Sequence, residues 1–180
     1  MQERVIHGDL FINGYEYVFK ENLTVKGTVI IYNGGLVVEG DLKIYSNYNR
    51  DINVYNGSIY AKSITVSKTS SIYITDGNIS TFKDFTCMNI HCYGGDICVG
   101  GNANVGNVSC VNYLVDGHND SFSIKAEKSV YIMEYSNNSN ITAPEVFLGG
   151  GGNFNSGTIT SDHFETDGHI YNCLGRYLLT

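Results

Sequence analysis

The feature that most constrains this chain is a small unit, two apolar residues separated by one outward residue, that recurs along nearly its whole length. Residues 57–76, GSIYAKSITVSKTSSIYITD, contain it three times, as Ile59/Ala61, Ile64/Val66 and Ile72/Ile74. Alternation with a period of two marks a short strand with one buried face. Upstream the unit gives Leu10/Ile12, Tyr17/Phe19, Leu23/Val25, Val29/Ile31, Leu36/Val38 and Leu42/Ile44. Downstream it gives Ile90/Cys92, Ile97/Val99 and Ala103/Val105. Ile52 precedes Ile72 by 20 residues, Ile72 precedes Ile90 by 18, and Ile90 precedes Val108 by 18. A period sustained near 18–20 residues is the signature of a solenoid.

Strands this short do not pair stably alone. Stacked coils solve the problem, because each strand pairs with its equivalent one turn away, about 4.8 Å along the axis. Three apolar pairs per coil imply a triangular cross-section. The expected fold is therefore all-β: a single-domain parallel β-helix over residues 1–180, with 18–20 residues and three short strands per coil. Right-handed winding is the default for parallel crossovers. About eight or nine coils would make a rod on the order of 40 Å long. The turn chemistry agrees, with 21 glycines, a single proline at Pro144, and Asn-Gly or Gly-Asp steps between pairs.

Residues 139–148, SNITAPEVFL, align without a gap on GSIYAKSITV at Gly57. Ile141, Ala143, Val146 and Leu148 are thus expected in the places of Ile59, Ala61, Ile64 and Val66. Eighteen residues later, GTITSDHFET fits the same frame with Ile159, Ser161, Phe164 and Thr166 inward. Residues 116–121 break the pattern and are expected to form an irregular loop leaving the array.

At this point the repeat resembles that of the bactofilins, bacterial proteins that form polymers. The segments that carry the resemblance are GDLKI at Gly40, GSIYAKSITV at Gly57, GNIST at Gly77, GDICV at Gly95 and GTITS at Gly157. The resemblance implies a cytoskeletal scaffold whose β-helices stack end to end without nucleotide, with the chain itself as partner. The end coils would carry that contact through Leu10, Ile12, Leu23 and Val25 at one end and Ile159, Phe164, Ile170 and Leu174 at the other. Unpaired strand edges are templates for further strands, which supplies the physical reason.

The other function classes fare less well. Net charge is −7 and there is no basic run, so nucleic acid is not an expected partner. No apolar run is long enough for a transmembrane segment. The start, Met1-Gln-Glu-Arg, lacks an export pattern, so a cytoplasmic location is expected. Five cysteines without a CxxC spacing suit a reducing compartment, with Cys87, Cys92 and Cys110 as small inward residues. His163 and His169, beside Asp162, Glu165 and Asp167, form one polar cluster; Asp116, His118 and Asp120 form another. Neither has metal-site spacing, and a solvated face explains both. Only three arginines occur and no paired-carboxylate motif, so no enzyme, cofactor or metal is expected. The alternative to a scaffold is a binding module. Tyr45, Tyr60, Tyr73 and Tyr131 point outward, and a tyrosine-bearing β-helix face can meet a glycan or another protein.

Overall fold

The computed structural model describes residues 2–45, 52–67, 71–137, 140–150 and 153–177, with side chains through residue 169 except that of 156. Among these residues every regular element is a strand. Twenty strands form one continuous sheet, and their pairings are parallel. The chain is a parallel β-helix.

Each coil lays one strand on each of three faces. The first face starts with Glu3–Ile6, the second with Leu10–Asn13 and the third with Glu16–Phe19. On the third face Tyr17, Leu36, Ile59, Ile79, Ile97, Tyr113, Val130, Val146 and Phe164 stand in register, one per coil. The eight steps between these nine residues give a rod about 40 Å long at about 4.8 Å per step. On the second face Ile52 pairs with Ile72, Ile72 with Ile90 and Ile90 with Val108, as the spacing predicts. Coil length is less uniform than 18–20 residues. It falls to 16 between Ile97 and Tyr113 and rises to 23 between Leu36 and Ile59. Strand pairing fixes the faces, and the corners absorb the difference.

Alternation sends one side chain of every two inward, so a single hydrophobic core runs through the coils. Large side chains such as Phe85, Tyr113 and Phe154 are fully enclosed, as are most of the isoleucines. At the two ends Ile6, Leu10, Phe19 and Phe164 pack on this core while staying half-buried.

The corner from the second to the third face shows why Asn, Asp and Gly recur. Gly14, Asn33, Asn56, Asp76 and Gly94 occupy it in successive coils, all with φ between 49° and 77°. Only glycine, and Asn or Asp at small cost, adopt this left-handed conformation readily. The next residue from the second coil on is Gly34, Gly57, Gly77 or Gly95. A Cβ on Gly77 would collide with the carbonyl oxygen of Gly57 below it. Elsewhere, corner side chains cap the following coil: the Thr28, Asp41, Asp96 and His118 backbone N–H groups donate to the Oδ1 atoms of Asp9, Asn22, Asn78 and Asn102.

Two expectations need correction. Residues 116–121 do not leave the array. His118–Ile132 is one strand that continues around corners through all three faces, and Asn119 and Ser121 point into the core. Their polarity is satisfied inside. The Asn119 Oδ1 accepts from Tyr113 Oη at 2.9 Å and from Ser121 Oγ at 2.8 Å, while Asn119 Nδ2 donates to Ser136 Oγ at 3.1 Å. The second correction concerns phase. Ile59/Ala61 lie on the third face and Ile64/Val66 on the first, whereas Ile141 lies on the second and Val146/Leu148 on the third. The two matching segments sit one face apart, because the same strand–corner–strand chemistry serves more than one corner.

Candidate binding face

The outward side chains make three unlike faces. The first is polar: Lys43, Thr65, Thr86, Asn104, Asp120, Asn137 and Asn155 follow one another in register. The second carries aromatics in its first coils. Tyr32 and Tyr55 stack with centroids 4.8 Å apart and planes at 8°, and Tyr73 stacks on His91 at 5.0 Å. These rings cover one another's faces. The third face carries an unbroken column of Val18, Val37, Tyr60, Ser80, Cys98, Leu114, Tyr131, Phe147 and Glu165. Most of it is apolar, and Val18, Tyr60 and Leu114 are exposed.

Toward the end of that column the surface dips into a cleft of about 260 Å³, lined by Tyr131, Glu145, Val146, Phe147, His163 and Glu165. Three successive strands build it. Tyr131 lies in His118–Ile132, Glu145 and Phe147 in Glu145–Leu148, and His163 and Glu165 in His163–Thr166. The Tyr131 and Phe147 rings are 6.0 Å apart and inclined at 39°. His163 Nε2 bonds Glu165 Oε1 at 2.8 Å. Glu145 makes no such bond to any described residue.

The four tyrosines expected on one binding face do not share one. Tyr60 and Tyr131 stand in the third-face column, Tyr73 is on the second face, and Tyr45 sits at the corner leaving the first. The sequence offers no direct sign that Leu114, Tyr131 and Phe147 stack. They lie 17 and 16 residues apart, outside the 18–20 period.

The expected association edge is also redistributed. The outermost strand of the first face is Glu3–Ile6, which lacks the apolar pair. Leu23 and Val25 therefore lie one coil inside and are fully buried. Ile12 and Ile159 are enclosed as well, and Leu10 and Phe164 are half-buried. The side chains of Ile170 and Leu174 lie outside the described ones. Their backbones pair with Phe154 and Thr158, and the partner of Ile159 is Gly175. At the N-terminal end each of the three first strands is paired on one side only, among the described residues. Phe11, Tyr17 and Val18 are 59%, 47% and 51% exposed there. Arg4 partly covers this end. Its guanidinium lies 5.8 Å over the Phe19 ring, and its Nε is 2.9 Å from Glu21.

The polar clusters stay apart. His163 pairs with Glu165, His118 Nε2 lies 3.2 Å from Glu134, and no described His, Cys, Asp or Glu residues form a group of three able to hold a metal. Burial pushes the Cys87 and Cys110 thiols up, and burial with the nearby Asp96 charge pushes Cys92 up to about 12. Neutral buried thiols of this kind are poor nucleophiles. No described helix is long and apolar enough to cross a membrane. Comparison with protein-family models, curated proteins and solved structures finds no match.

Proposed function

We propose that this β-helix is a structural, self-associating scaffold of the bactofilin type, a cytoskeletal element of a bacterial cytoplasm. One observation supports the reading: among the described residues, the three strands of the N-terminal coil are each paired on one side only, beside exposed Phe11, Tyr17 and Val18. Unpaired N–H and C=O groups beside apolar side chains are what a second β-helix end would complete. The useful substitutions are Leu10→Lys and Tyr17→Lys at the open end. Ile12→Lys would bury a charge in the core and unfold the coil. Light scattering coupled to size exclusion should show mass rising with concentration, and each lysine variant should hold a smaller mass with an unchanged circular dichroism spectrum. A fixed mass for the unmodified chain would overturn the reading.

A second reading, a binding module acting through its side, rests on the third-face column and its cleft. It expects a ligand to perturb Tyr131 and Phe147 without changing the mass.

A further inference from the structure

We infer that the cleft at Tyr131 and Phe147 is a binding site for a small organic cation, an alkylammonium group. The inference rests on the second reading and gives that site its ligand chemistry.

Two features of the cleft act together. The first is the aromatic pair. A cation gains from an aromatic ring when it lies within about 6 Å of the centroid, over the negative face. With centroids 6.0 Å apart and planes inclined at 39°, a group seated against the pair in the cleft can lie within that reach of both centroids. On the second face Tyr32 and Tyr55 lie nearly parallel at 4.8 Å, and Phe11 and Tyr32 are tilted at 52°; the Tyr131–Phe147 pair lines its cleft together with Glu145 and Glu165.

The second feature is charge. Glu145 and Glu165 both line the cleft. Glu165 is hydrogen-bonded by His163 Nε2. Glu145 has neither a hydrogen bond nor an ion pair to a described residue. No lysine or arginine lines the site. Two carboxylates beside two tilted rings repel anions, give a neutral apolar group no use for the charge, and attract a cation with apolar substituents. About 260 Å³ accommodates a trimethylammonium head. The same head could belong to a free metabolite or to a methylated lysine on a protein.

The test uses the full chain and three probes: choline, a trimethyllysine peptide, and 3,3-dimethylbutan-1-ol, the uncharged carbon isostere of choline. Two-dimensional amide NMR reads each titration to about 10 mM, ten times a dissociation constant on the order of 1 mM. Choline should shift the amides of residues 131, 145–147 and 163–165 saturably, and the isostere should not. Phe147→Ala and Glu145→Gln, both at the surface, should each weaken choline about three- to fivefold while leaving all other amides in place. Stronger binding of the trimethyllysine peptide would assign the group to a protein partner; stronger binding of choline would assign it to a free metabolite. Equal shifts from the neutral isostere would overturn the cation assignment while leaving a side-on binding face. Absence of shifts at these residues with every probe would overturn the site.

Discussion

The corner from the second to the third face shows how far single residues decide this fold. Asn33, Asn56 and Asp76 hold φ near 50° where glycine stands in the neighbouring coils. Asn56→Ala should cost about 1–2 kcal/mol, the penalty for a Cβ without a compensating side-chain bond in the left-handed region. Gly77→Ala should be far worse, because the added carbon has only the Gly57 carbonyl to move. Urea denaturation of the two variants checks the order, and equal stability would contradict it. The buried thiols set a pH limit. Cys92 rises from its ordinary 9.0 to about 12 in the fold. The folded state then holds its proton more tightly than the unfolded chain does. The stability this gives is complete below pH 9 and is lost as pH rises from 9 through 12. Urea midpoints should therefore fall across that window, and Cys92→Ala should fall less steeply. Alkylation followed by mass mapping at pH 8 should leave Cys87, Cys92 and Cys110 unmodified until the chain unfolds.

At the scale of the strand, the apolar-x-apolar unit was legible because alternation depends only on local geometry. Its face was not. Residues 57–66 and 139–148 match in sequence yet lie one face apart, since a short corner followed by a strand is all either segment encodes. Residues 116–121 were misread for a different reason. A run of Asp, Gly, His and Asn looks solvated until another face supplies partners, and here Tyr113 brings its hydroxyl across the core to Asn119. Asn119→Ala removes the amide that Tyr113 Oη, Ser121 Oγ and Ser136 Oγ share inside the core. It should cost about 1–3 kcal/mol for each group left unpaired. Calorimetry reads the loss directly, and a neutral result would mean that water replaces the amide. The cleft was partly legible: Tyr131 could be placed outward, and Phe147 lies between the inward Val146 and Leu148, but only the register between coils shows the two adjacent.

For the whole molecule, each coil touches only its neighbours, so the ends should open before the middle. Hydrogen exchange should be fast in Glu3–Ile6 and Glu16–Phe19 and slow in the coils around Ile72, Ile90 and Val108. An acidic rod with net charge −7 also repels its copies. End association should strengthen as salt rises, because screening removes that repulsion and leaves strand pairing and apolar contact intact. The measurement that bears most directly on the scaffold is light scattering with size exclusion over a hundredfold range of concentration, with negative-stain microscopy of the same samples. Mass that grows with concentration, and particles lengthened along the rod axis in steps of about 40 Å, is the predicted result. A single monomer or dimer mass at every concentration and salt would contradict it.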